Sequence, residues 1–109
     1  MAQAHKVLGQ SNPSATTLTT LYTVPASTQA VCSSLTICNT SSSATTYRVA
    51  IRPSGATVAT QHYIAYDAAL PANDTVTLTL GIALAATDVV SVYAGAASVA
   101  FSAFGVEVS

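Results

Sequence analysis

Apolar residues recur at every second position along most of this chain, and the three-or-four spacing of a helix is nearly absent, so the pattern predicts strands. Residues 75–84 show it best: Val76, Leu78, Leu80, Ile82 and Leu84 alternate with Thr75, Thr77, Thr79, Gly81 and Ala83. In 45–52, Tyr47, Val49 and Ile51 face one way and Thr46, Arg48, Ala50 and Arg52 the other. In 30–39 the same rule gives Val31, Leu35 and Ile37 to the core, with Ser33 on their side, and puts Ala30, Cys32, Ser34, Thr36 and Cys38 on the opposite face.

Further strands are predicted at 5–9, 17–24, 56–66, 89–94 and 98–108. Pro13, Pro25, the 53–55 Pro-Ser-Gly step, the 71–74 Pro-Ala-Asn-Asp step and Thr87–Asp88 separate them, because Pro removes a ladder donor and Gly, Asn and Asp suit turns. In the last strand the apolar parity changes between Phe101 and Phe104, beside Gly105, which predicts a bulge there. About eight short strands, spaced by roughly 8 to 12 residues, fit an all-β fold: a single antiparallel β-sandwich, jelly-roll-like. A chain of 109 residues has room for one core, so 1–109 is expected to be one domain, with 1–10 as a possible N-terminal arm that reaches a neighbour.

Composition changes the picture in one respect. Half of the residues are hydrophobic and only 6% are charged, against about 25% in an average soluble domain. Such a surface predicts burial against other subunits. The cations are Lys6, Arg48 and Arg52, scattered along the chain. They make no patch able to displace counterions from phosphates, so direct nucleic-acid binding is not expected. No apolar run reaches the roughly 18 to 20 residues needed to cross a bilayer, and the N-terminus has no apolar signal core. The expectation is therefore synthesis in a cytoplasm, with neither secretion by that route nor membrane insertion.

Candidate chemistry is sparse. Cys32 and Cys38, the only cysteines, would lie roughly 20 Å apart on one strand, too far for a disulfide. Their spacing does not match a zinc site, and His5 and His62 supply no matching ligands, so both are read as packed free thiols, and no metal or other cofactor is expected. Asp67, Asp74 and Asp88 sit at or near turn signals, where Asp bonds its own backbone more often than it catalyses. No nucleophile elbow is present, and no enzymatic activity is expected. Tyr63, Tyr66 and Tyr93 offer rings that a sugar could stack on, with core or interface packing as the competing reading. Arg48 and Arg52 share one strand face, either solvated or paired with acids of a neighbouring subunit.

The segments LYTVPASTQAVCSSLTICNTSSSATTYRVAIRPSG at 21–55 and HYIAYDAALPANDTVTLTLGIALAATDVVSVYAG at 62–95 resemble small β-sandwich structural proteins of tailed bacteriophages. LYTVPA, the strand ending ICN, RVAIRP and DVVSVYAG carry the likeness, which runs from about Lys6 to Val108 and contains no catalytic signature. It implies a virion component without enzymatic activity: a capsid decoration or cement protein, often a homotrimer, placed over junctions of the major capsid protein. A tail, baseplate or fibre-associated module is the close alternative, and a carbohydrate-binding sandwich is a more distant one. The residues expected at an interface are His5, Lys6, Cys32, Cys38, Arg48, Arg52, Tyr63 and Tyr66.

Overall fold

A computed structural model describes residues 3–109. Eight strands form in chain order: β1 (Gln3–Ser11), β2 (Thr19–Thr23), β3 (Gln29–Asn39), β4 (Thr45–Arg52), β5 (Tyr63–Leu70), β6 (Thr75–Leu84), β7 (Val89–Ala94) and β8 (Val99–Val108). They make two four-stranded sheets, ordered β1-β8-β3-β6 and β2-β7-β4-β5, with every pairing antiparallel. Strands β1 and β8, β2 and β7, β3 and β6, and β4 and β5 pair as the nested rungs of one long hairpin. Rolling that hairpin up brings β8 against β3 and β7 against β4, which is the jelly-roll arrangement that the strand count predicts.

The core lies between the sheets. Leu35, Ile37 and Phe101 of one sheet are fully enclosed against Val49, Val92 and Ala94 of the other. Burying side chains of this size contributes about 1.5–3 kcal/mol each, and alternation delivers Val49 of β4 and Phe101 of β8 to the inner side.

Strand β3 departs from its expected faces. Cys32 pairs with Gly105 and Ser34 with Phe104, so Ser33 is an extra residue relative to β8. One inserted residue exchanges inward and outward positions. Ala30 and Cys32 therefore point into the core ahead of the bulge, and Leu35, Ile37 and Asn39 after it. Val31, expected inside, is 40% exposed, while Cys32 is only 2% exposed. The two cysteines thus lie on opposite faces, contrary to the simple alternation. Strand β8 itself alternates without interruption: Val99, Phe101 and Ala103 face inward and Phe104 outward. The parity change read at Phe101–Phe104 is an apolar residue on the outer face, and the bulges belong to the flanking strands. The second is in β1, where Val7 faces Phe104 and Gly9 faces Ala103, leaving Leu8 extra.

Residues 3–10 of the expected arm are bound as edge strand β1; Met1 and Ala2 lie outside the described residues. Lys6 Nζ sits 2.8 Å from Glu107 Oε1, and Tyr22 of the opposite sheet donates its hydroxyl to Glu107 Oε2 at 2.5 Å. This link joins both sheets at one end of the sandwich. The hydrogen bonds from Lys6 and then Tyr22 hold the Glu107 carboxyl below its ordinary range. Burial, reinforced by the carboxylate, pushes the Tyr22 phenol above its own.

A carboxyl whose folded pKa is depressed adds stability above its unfolded pKa of about 4.3, and that stability is lost as pH falls through the folded value. Tyr22→Phe is expected to cost about 1–2 kcal/mol near neutral pH. In urea melts the difference from wild type should shrink below about pH 4; a pH-independent difference would show that the hydroxyl does not act through Glu107.

Candidate functional site

The two outer faces of the sandwich differ sharply in chemistry. On the β2-β7-β4-β5 sheet, Arg48 stands in the middle of β4 opposite Tyr93 of β7. Its guanidinium carbon lies 4.2 Å from the ring centres of both Tyr66 and Tyr93. Nε donates to Asp67 Oδ1 at 2.7 Å and Nη2 to Oδ2 at 3.3 Å, a two-pronged match of fork to carboxylate. Asp67 reaches it because β5 is irregular there: Asp67 adopts φ 48°, and the register with β4 shifts between Tyr47 and Val49. A short polar residue tolerates that left-handed conformation. The guanidinium beside it keeps the Asp67 carboxyl below its ordinary range, and the carboxylate in turn fixes the arginine charge.

Tyr63 meets Tyr66 edge to face at a centroid distance of 4.9 Å. These two rings and Val58, Ala59 and Thr60 line an open groove of about 630 Å³. Tyr66 is 58% exposed, although cation and ring contacts hold it in place. The predicted strand over 56–66 is shorter than expected. Its first half is not extended and contains a short 3-10 turn at Thr60–His62, and the strand runs instead over Tyr63–Leu70. Within it Tyr63 faces Ala50 and Ala65 faces Val49, so Ile64 is extra and Tyr63 and Tyr66 come together where strict alternation separates them. His62 is held in the same turn, its Nδ1 accepting the Ala59 N–H at 2.9 Å.

Arg52 is engaged within the chain, donating to Ser91 Oγ at 3.0 Å and to the Ala56 carbonyl at 3.2 Å. Both arginines, read as either solvated or paired with acids of a neighbouring subunit, have partners within the chain, as does Lys6. Asp74 and Asp88 serve turns: Asp74 Oδ1 accepts the Thr75 N–H, and the two Asp88 oxygens accept the N–H groups of Ser54 and Ala85. Among the described residues, no three His, Cys, Asp or Glu side chains gather as metal ligands would.

The outer face of the β1-β8-β3-β6 sheet has the opposite character. The register aligns Val7, Phe104, Ser34 and Thr79 in one row and His5, Val106, Val31 and Ala83 in the next. Gln10, Ser102, Thr36 and Thr77 form a third row, followed by Ala100, Cys38 and Thr75. Among the described residues this face carries no Asp, Glu, Lys or Arg, and their ionisable groups on it are His5 and the half-buried Cys38. Val7 is 48% exposed and Val31 40%. Of the residues expected at an interface, His5 and Cys38 belong here, Tyr63, Tyr66 and Arg48 belong to the opposite face, and Cys32 is in the core. Val31 is expected in the core, and Val7 and Phe104 are not among the residues expected at an interface. The bulges that turn Val7 and Val31 outward have no composition signal of their own, since Ser33 is one serine among many.

No family model, curated protein or solved structure matches the chain. The molecule is defined by its own features as an eight-stranded jelly roll with one uncharged outer face and one face built around an arginine between tyrosines.

Proposed function

We propose that this chain is a non-enzymatic structural protein of a bacteriophage virion, an oligomeric decoration or cement subunit that stabilises the capsid by bridging major capsid subunits. The observation that carries this reading is the uncharged outer face of the β1-β8-β3-β6 sheet. A face without charges docks without stripping ions of water, which is the largest cost of burying polar surface, and each Å² of apolar area removed from water contributes about 25 cal/mol. The mechanism is mechanical: complementary area buried across a shell junction raises the free energy needed to separate the subunits beneath. The likeness of 21–55 and 62–95 to phage sandwich proteins supports the virion setting, and a tail or baseplate position is the variant with the same docking chemistry.

Copy number separates the two positions. Phage particles purified from a producing culture should contain the chain in hundreds of copies if it decorates the shell and in few if it belongs to the tail; its absence from particles would sink the proposal. Cys38 then reports the docked face. In the free protein a maleimide should modify Cys38 quickly and Cys32 only on unfolding, since burial encloses the Cys32 thiol and pushes its pKa up. In the particle Cys38 should become slow as well, and equally fast labelling of Cys38 in both states would show that another face docks.

A second reading rests on the Tyr63–Tyr66 groove. An exposed ring pair held by Arg48, beside a groove of a size that takes small ligands, is a platform for a neutral saccharide. A glycan array without hits would dismiss it.

A further inference from the structure

The sandwich has four edge strands, β1 and β6 in one sheet and β5 and β2 in the other. An unpaired edge invites another strand unless charge, Pro, brevity or distortion prevents it. Three of the four are guarded. Strand β1 carries His5 and Lys6 and bulges at Leu8; β5 carries Asp67 in a left-handed conformation and two register shifts; β2 is five residues long and is followed by Pro25. Strand β6 is ten residues long and contains neither a charged residue nor Pro. It has one irregularity, where residues 79–82 face 32–34, and Thr75–Thr79 ahead of it is regular. Its inward residues Val76, Leu78, Leu80 and Ile82 are only partly covered, and the core is therefore unfinished along this edge. Among the described residues, the only hydrogen bond that β6 makes outside its pairing with β3 is from the Thr75 N–H to Asp74.

We propose that β6 pairs antiparallel with β6 of a second copy, about a twofold axis at Thr77, joining two four-stranded sheets into one of eight strands. The segment Thr75-Val76-Thr77-Leu78-Thr79 reads the same in both directions by residue class. In this register Val76 meets the partner's Leu78 on the core side, while Thr77 meets its own copy and Thr75 meets the partner's Thr79 on the outer side. Thr–Thr and apolar cross-strand pairs are favourable, and no like charges oppose each other.

Gly81 is an independent pointer. A Cβ at Gly9, Gly95 or Gly105 would strike neighbouring atoms at 2.8 Å or less, and Gly55 has φ +70°, yet a Cβ at Gly81 would meet nothing within 4 Å. Glycine inside a strand lowers stability without such a reason, and it often marks where another backbone passes. In the proposed register the partner's 71–74 turn passes beside Gly81. Area argues the same way. Four strands about 4.8 Å apart and nine residues long at 3.3 Å each give a face of about 550 Å², below the roughly 800 Å² per partner of a stable interface, and pairing through β6 doubles it. The contact holds whichever particle the protein belongs to, and its test needs no particle.

The test is Thr77→Lys, at an exposed position, and the matching Thr77→Glu, measured by light scattering with size-exclusion chromatography over a concentration series. Wild type should rise from the mass of one chain to that of two. Each variant alone should stay at one chain, because like charges then face each other across the axis, with an unchanged circular dichroism spectrum and, at concentrations low enough for wild type to be one chain as well, an unchanged melting temperature. An equimolar mixture of the two variants should return to two chains. Wild type at one chain up to millimolar concentration, a Thr77→Lys variant that still pairs, or a mixture that stays apart would each overturn the proposal. Wild-type pairing only with a foreign protein would do so as well.

Discussion

Replacing Gly105 with alanine will unfold or severely weaken the domain. The added methyl would lie 2.0 Å from the Val31 carbonyl oxygen and 3.1 Å from Cys32 Cα, atoms of a backbone that cannot rotate out of the way. Gly105 sits opposite Cys32, at the start of the Ser33 bulge, where the bend of β3 presses its main chain onto β8. Relief requires the two central strands of the sheet to separate locally, which breaks ladder hydrogen bonds and opens the packing around Leu35 and Phe101. The expected loss is about 3 kcal/mol or more, the range of overpacked cores at its upper end. Gly81→Ala is the internal control. Its new methyl meets nothing within 4 Å, and alanine is favoured over glycine in a strand by about 0.5–1 kcal/mol. In urea melts at low protein concentration the two substitutions should therefore move the midpoint in opposite directions. A Gly105→Ala protein within about 1 kcal/mol of wild type would show that the β3–β8 approach is looser than described.

Asn39→Asp is expected to be almost as damaging, although it changes one atom. Asn39 is 1% exposed at the end of β3. Its Nδ2 donates to the carbonyls of Ser43 at 2.8 Å and Pro71 at 3.2 Å, and its Oδ1 accepts the Ser41 N–H and the Ser98 hydroxyl, both at 3.1 Å. One side chain thus ties together the β3–β4, β5–β6 and β7–β8 connections. A carboxylate keeps the two accepted bonds but turns an oxygen toward two carbonyl oxygens, leaving both unsatisfied beside a buried negative charge. The cost should be about 3–5 kcal/mol near neutral pH. Because the fold disfavours the charged form, the introduced carboxyl titrates above its unfolded value, and part of the loss should be recovered as pH falls below that folded pKa. A variant as stable as wild type at pH 7 would mean that water replaces these bonds.

The same residues show how far the sequence could be read. Strands β4 and β6 present one uninterrupted period of two, so their extent and inward faces follow from pattern alone, whereas β7 is buried at almost every position and shows no such alternation. Strand β3 has the same kind of pattern and misleads, because one extra residue reverses the faces and any of Ser33, Ser34 or Thr36 would suit a bulge equally well. Its only trace lies in another strand: the pattern beside Gly105 predicts a bulge in β8, whereas the bulge is in β3 and Gly105 makes room for it. Asp67 is similar. Its role depends on a left-handed backbone and a shifted register that bring it to Arg48, nineteen positions earlier in the chain, and nothing local announces either. The uncharged face became visible only once register had set Val7, Phe104 and Val31 side by side, since each is unremarkable in its own strand. Low charge predicts a surface poor in charge somewhere; which face lacks it emerges only from the pairing of strands.

The nesting of strand pairs has a consequence for how the molecule forms. Strand β8 comes after every other strand in chain order, yet it lies between β1 and β3. Until it arrives, one sheet exists only as the β3–β6 hairpin and a detached β1, while the other sheet can already assemble from β2, β4, β5 and β7. A chain made from its N-terminus therefore carries exposed strand edges on one side through most of its synthesis. Closing a pair as distant as β1 and β8 is entropically slow, in the regime where β-sandwiches fold in milliseconds to seconds. The uncharged face that suits docking is thus the last surface to be completed, and no copy can offer it to a partner before its own chain has closed.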